Sequence, residues 1–243
     1  MSAADAYAQA GVFTIHTTLA AGSATAGVSA RAFIGTPHER YVEAVYEDVL
    51  ARAPDAGGLA YWANLLDAGA PITSIAQRFA HSDEYYANFV IKPDYLKLLG
   101  RAADDAGVKH WTQLMQAGLT DQQLEADLSA SDEFFQKAGG TNIAWIDAIY
   151  RLLLGRAADS AGETYWSRQL QGGATRLQAA EGIAGSQENN TQLINDDYFH
   201  YLGRDADPGG LAYWLQQFAN GKTNEDVIAG FTGADEYYKK YAS

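Results

Sequence analysis

The sequence predicts an all-α fold: four tandem helical repeats forming two similar helical-bundle halves, with a non-repeating N-terminal extension. Three observations lead there. Six residue types recur in register four times; the apolar residues of each copy fall at helical spacing; and strand-like alternation is absent from all four copies.

The copies align without a gap over Arg52 to Glu84, Arg101 to Glu133, Arg156 to Glu188 and Arg204 to Glu236. A Tyr stands six residues before each Arg (Tyr46, Tyr95, Tyr150, Tyr198), and an Asp three after it (Asp55, Asp104, Asp159, Asp207). A Trp follows the Asp by seven (Trp62, Trp111, Trp166, Trp214), and a Gly follows the Trp by seven (Gly69, Gly118, Gly173, Gly221). The Trp residues are 49, 55 and 48 apart, so the middle join is the long one, and it holds the linker-like run Ala138-Gly139-Gly140-Thr141-Asn142. This divides the chain into an extension or arm at 1–38, a helical domain at 39–140 with repeats one and two, and a helical domain at 141–243 with repeats three and four.

In the first copy Val42, Val45, Tyr46, Val49 and Leu50 form one apolar stripe. The helix should end near Arg52, because Pro54 biases Ala53 away from helical geometry. Asp55 stands where an N-cap is needed, and Leu59, Trp62, Leu65 and Leu66 give the next helix its inner face. Gly69 suits the position after that helix, where φ turns positive. A third helix follows with Ile72, Ile75, Ala76 and Phe79, and Ser82 then caps a short aromatic helix. Gly100, Gly155 and Gly203 precede the Arg in the other copies, which repeat the same logic. In the extension, Val12-Phe13-Thr14-Ile15 is the one cluster of strand-like character; with Phe33 and Ile34 it favours partial ordering.

Composition narrows the function. A net charge of -13 and a pI near 4.6 oppose nucleic-acid binding and bare anionic lipid, and are compatible with divalent cations. There is no cysteine, which removes disulfides, thiolate nucleophiles and Cys-ligated metals, and fits an exported protein. No run of about twenty apolar residues exists to span a membrane. Met1 to Gly11 has no basic stretch and carries Asp5, so it is not a classical N-terminal signal peptide; export would use a signal elsewhere.

The run Leu99-Gly100-Arg101-Ala102-Ala103-Asp104, with Gly107 and Trp111, and its counterpart Leu154-Gly155-Arg156-Ala157-Ala158-Asp159, with Gly162 and Trp166, resemble the DUF4214 domain. So do Ser82-Asp83-Glu84 and Ser131-Asp132-Glu133. The resemblance covers about residues 39–243 and implies a helical module of bacterial exported, RTX-type and surface-layer-like proteins, with some similarity to phycobilisome linker repeats. It implies no particular activity. Two positions depart from the pattern: Ala234 replaces the Ser of the fourth copy, and Gln187 replaces the Asp of the third.

The recurring Arg52, Asp55, Trp62, Glu84, Arg101, Asp104, Trp111, Glu133, Arg156, Asp159, Trp166, Glu188, Arg204, Asp207, Trp214 and Glu236 read first as architecture. In that reading Arg52 closes a turn, paired to Glu84 or Asp55 and stacked near Trp62. In the competing reading the Asp-x-x-Gly turns hold a cation or a sugar. Asp104, Asp105, Asp205 and Asp207 are then the candidates for calcium, although each turn offers fewer oxygens than calcium gathers.

Pairs follow the Ser/Ala-x-Glu sites: Tyr85-Tyr86, Phe134-Phe135, Asn189-Asn190 and Tyr237-Tyr238. One member of each pair belongs to a core at helical spacing. Tyr86, Phe135, Asn190 and Tyr238 are the candidate ligand contacts, suited to sugar rings or a protein partner.

His16, His38, His81, His110 and His200 are scattered, and no P-loop, nucleophile elbow or dinucleotide fingerprint occurs. No catalytic residue is assigned. The expected protein is a non-catalytic interaction or anchoring module of an extracellular or cell-surface bacterial protein, binding an envelope glycan or neighbouring subunits, with self-association included. An intracellular scaffold is the alternative, and a polysaccharide-active enzyme a distant third.

Overall fold

A computed structural model of the chain describes residues 11–21 and 24–242, with side chains from residue 34 onward. The reading of Met1 to Gly11 as no signal peptide falls, all but Gly11, outside the described residues.

Gly11–Ala21 (β1) and Ala24–Ile34 (β2) pair as an antiparallel hairpin, with Val12 opposite Phe33 and Ile15 opposite Ala30. Everything after the hairpin is helix and turn. The first copy has a Tyr helix, Pro37–Leu50 (α1), a Trp helix, Ala56–Asp67 (α2), and a third helix, Ile72–Ala80 (α3). Its closing helix is not short: it begins at Asp83 and runs on as the Tyr helix of the second copy, spanning 83–99 (α4). Pro93 lies inside that span, where it lacks an N–H and crowds the preceding turn. Wider π-helical turns at Tyr86–Ile91 and Tyr95–Leu99 flank the site and give the backbone room.

The second copy continues with Asp105–Gln116 (α5), Asp121–Ala130 (α6) and Asp132–Lys137 (α7). Here the chain does break. Gly139 and Gly140 have φ of +109° and +69°, and Thr141 caps the next helix through the Ala144 amide. The third copy comprises Asn142–Leu153 (α8), Ser160–Gln171 (α9) and Arg176–Ala184 (α10). Residues 187–202 (α11) again close one copy and open the next, followed by Pro208–Ala219 (α12), Asn224–Thr232 (α13) and Asp235–Ala242 (α14).

The Gly residues placed after the Trp helices do turn left-handed: Gly69, Gly118, Gly173 and Gly221 have φ between +85° and +101°. Gly100, Gly155 and Gly203, before the Arg, have φ of +65° to +69°. The first copy has Ala51 there, forced to φ +50°.

The compact units differ from the two sequence halves. One comprises 1–80 with 228–243, the other 81–227, so the Gly139-Gly140 break lies inside the second. The reason is contact between the chain's ends. In the first unit α14 lies on α1: the hydroxyls of Tyr237 and Tyr241 both donate to Asp48 Oδ2, at 2.9 and 2.8 Å, and Arg40 Nε donates to the Tyr241 carbonyl. Tyr41, Val42, Val45, Ile75, Phe79 and Tyr237 form its core. The last copy thus supplies the closing helix that the first copy's opening segment would otherwise lack. In the second unit the third helices α6 and α10 pack together, and Leu124 and Ala126 of the one and Ala179, Ala180 and Ile183 of the other are buried. Trp145, wholly buried, donates from Nε1 to the Ser129 carbonyl at 2.7 Å.

Candidate functional site

The recurring motif closes on itself around the Tyr. Each Arg guanidinium lies over the ring of its own copy's Tyr: Arg52 over Tyr46 at 4.9 Å, Arg101 over Tyr95 at 5.2 Å, Arg156 over Tyr150 at 5.1 Å and Arg204 over Tyr198 at 4.9 Å. The stacking partner is therefore the Tyr, not the expected Trp. The Trp meets the hydroxyl end of the same ring: Trp111 Nε1 donates to Tyr95 Oη at 2.9 Å, and Trp166 Nε1 to Tyr150 Oη at 3.1 Å. In the middle copies the Arg also forks onto the Glu. Arg101 bonds Glu133 at 2.6 and 2.8 Å, Arg156 bonds Glu188 at 2.6 and 2.7 Å, and each holds its partner's carboxyl below the usual range. These pairs are about half exposed, so they are not buried ion pairs. Arg52 and Glu84 belong to different units, as do Arg204 and Glu236.

The Asp residues are caps. Asp55, Asp104, Asp159 and Asp207 accept from the amides of Gly58, Gly107, Gly162 and Gly210 at 2.7 to 2.9 Å. The Gly210 amide, joined by that of Gly209, helps hold Asp207 low. One oxygen of each carboxylate is thereby committed. Among the described residues no three His, Asp or Glu side chains gather so as to hold a metal, and Asp104 with Asp105, or Asp205 with Asp207, do not form such a group.

The candidate contacts fare unevenly. The first member of each pair is core: Tyr85, Phe134, Asn189 and Tyr237 are all buried. Tyr86 is buried too, its hydroxyl against His81 Nδ1 at 2.8 Å, which corrects the expectation of an exposed ring. Phe135 is half-buried under the Arg176 guanidinium, and Tyr238 is half-buried against Tyr41. Asn190, also half-buried, accepts from Gln122 Nε2 at 3.2 Å and lines an amide-rich groove of about 680 Å³ with Gln187, Gln216, Leu215 and Lys222.

A different set is presented to solvent. Tyr61, Tyr165 and Tyr213 each directly precede the motif Trp, and each is 54% exposed. Each ring stands edge-on to its Trp, with centroids 4.8 to 5.0 Å apart and planes at 74° to 79°. His110 takes the same place in the second copy, 5.1 Å from Trp111. Around Tyr165 lies an open cleft of about 640 Å³ bounded by Ser160, Thr164, Arg168 and Gln169. None of these tyrosines is among the contacts that the sequence predicts, although the Tyr-Trp dipeptide recurs in register three times.

The family model described as Domain of unknown function (DUF4214) matches at residues 26–89, 90–138, 125–193 and 190–241. The chain belongs to the DUF4214 family. The match over 26–89 begins within β2, takes in α1, α2 and α3, and ends within α4. No curated protein and no solved structure matches the chain. No helix among the described residues is long and apolar enough to cross a membrane.

Proposed function

We propose that this DUF4214 chain is a non-catalytic interaction module, anchoring an extracellular or cell-surface bacterial protein by binding an envelope glycan on the tyrosines of its Trp helices. One observation carries the reading. Burial gives the fold no reason to repeat a half-exposed Tyr, yet Tyr61, Tyr165 and Tyr213 recur at one register with one ring geometry. The Trp edge pre-orients each ring, so little side-chain freedom is lost when a sugar face stacks on it. At Tyr165 the hydroxyls of Ser160 and Thr164, the Gln169 amide and the Arg168 guanidinium offer the mixed donors and acceptors that sugar hydroxyls need. The net charge of -13 favours a neutral glycan over a uronic-acid or phosphate-rich one. Absent cysteine and low pI support export.

Titrating the full chain with neutral and anionic envelope polysaccharides, read by tryptophan fluorescence, tests this. Stacking beside the Trp rings should change the emission with neutral polymers; silence across the panel removes the glycan reading. A second reading, contact with neighbouring protein subunits, is favoured by Leu96 and Phe199. They follow the register Tyr of copies two and four and are 58% and 68% exposed. Sedimentation that stays monomeric at high concentration argues against self-association.

A further inference from the structure

The second unit buries more carboxyl groups than it neutralises. Asp94 and Lys97 on α4, Asp121 and Glu125 on α6, Asp197 on α11 and Glu225 at the start of α13 all lie within it. Tyr85 and Tyr86 of α4 and Tyr201 of α11 face the same cluster, with Asp196, Asp83 and Asp226 at its margin. Lys97 pairs with Glu125 at 2.9 Å, and His81 Nε2 lies 3.6 Å from Asp226, which Lys222 also approaches. Glu225 is wholly buried, and neither of its carboxyl oxygens has a donor; one oxygen of Asp121 and one of Asp197 are in the same condition.

Thr120 and Gln122, which flank Asp121, and Lys222, three residues before Glu225, line one groove, so the starts of α6 and α13 lie close together. Two carboxylates are acceptors only, so they can bond only when one carries a proton. The fold does not demand acids here. Asp94 and Asp197 immediately precede the register Tyr in copies two and four, whereas copies one and three place buried Val45 and Ile149 there. Likewise the register of Asp121 holds Ile72 in the first copy.

We propose that Asp121 and Glu225 share a proton across the N-termini of α6 and α13, making the second unit a pH-sensitive body, secured in acid and loosened as the cluster ionises. Thr120 and Gln122, beside Asp121, and Lys222, near Glu225, rim the amide groove, so loosening acts on that surface directly.

The direction follows from the environment. Burial raises Asp121, Asp197 and Asp94, the last to about 8, with Glu225 and Glu125 adding repulsion and Lys97 opposing it at Asp94. The helix N-termini favour the charged forms by only about two- to fivefold. The folded chain therefore keeps protons that the unfolded chain releases near pH ~4. Their stabilisation is complete below that range and declines as pH rises towards the folded values. The decline is about tenfold in the folding constant per pH unit for each proton retained.

Thermal melts of the full chain from about pH 5 to about pH 8 test the proposal. The parent midpoint should fall with rising pH. Glu225→Gln, whose amide can donate to Asp121, should flatten that fall and be the more stable protein at the alkaline end. A flat parent profile, or a variant as steep as the parent, overturns the proposal. Calorimetry of the parent near neutrality in buffers of different ionisation heat should show net proton release on unfolding, and none released overturns it without any variant. Millimolar calcium should leave the alkaline midpoint unchanged. A calcium-dependent rise abolished in Glu225→Gln means that the acids hold a cation, not a proton, and also overturns it.

Discussion

Tyr150 Oη accepts a hydrogen bond from Trp166 Nε1 at 3.1 Å, tying the Tyr helix of the third copy to its Trp helix. A Cβ on Gly162 would come within 2.6 Å of that oxygen, so the glycine is what lets the hydroxyl in. Gly162→Ala should destabilise by about 1–3 kcal/mol through overpacking. Tyr150→Phe alone should lose about 0.5–1.5 kcal/mol with its hydrogen bond. In the double variant the clash with the hydroxyl is gone, so the two losses should sum to less than additive. Urea midpoints of the four proteins give the coupling; strict additivity contradicts the contact.

Ala51 occupies the left-handed position that glycines fill in the other three copies. Ala51→Gly should stabilise by about 1 kcal/mol, the relief of left-handed strain exceeding the entropy added to the unfolded chain. Equilibrium denaturation that shows a loss would mean the strain is absorbed elsewhere.

Ser82, Ser131 and Ser186 each accept from the amide three residues on, at 3.1 to 3.2 Å. Ala234 holds that place before α14 and has no side-chain oxygen to offer. Ala234→Ser should add about 0.5–2 kcal/mol. Because α14 closes the first unit, the gain should slow hydrogen exchange in α1 as well.

Glu43 sits in the first unit with its side chain inaccessible and both oxygens without a donor. Burial raises its pKa to about 7, with Glu39 and Glu47 adding to the rise and Arg40 opposing it. Folding therefore retains a proton that the unfolded chain gives up in the ordinary carboxylate range, and the stability it confers is lost as pH climbs to about 7. Glu43→Gln should match the parent in acid and exceed it at pH 8. Melts showing an equal difference at both pH values would refute the shift.

Much of the fold is legible in the sequence because its causes are local. The cap at Asp55, the left-handed turn at Gly69 and the apolar stripe of Val42, Val45 and Val49 each depend on residues within a turn or two. What spacing could not reveal is long-range or angular. Nothing in the chain announces that Tyr237 would reach Asp48, 189 residues away, and so regroup the halves into other units. Nor could spacing show that the Arg would choose the Tyr ring over the Trp, since both lie within reach of its side chain. The same limit hid the candidate site. Helical periodicity marks Trp62, Trp166 and Trp214 as inward, but the exposure of the Tyr before each follows only from the packing around it.

In the proposed function the outward tyrosines bind while the Arg, Asp, Tyr and Trp beneath them build. Its most direct test is the triple variant Tyr61→Ala, Tyr165→Ala, Tyr213→Ala, measured for both thermal midpoint and affinity for the neutral glycan that the parent retains. The expected result is an unchanged midpoint with affinity lowered at least about tenfold, as befits lost aromatic anchors. Undiminished affinity in a folded triple variant would contradict it.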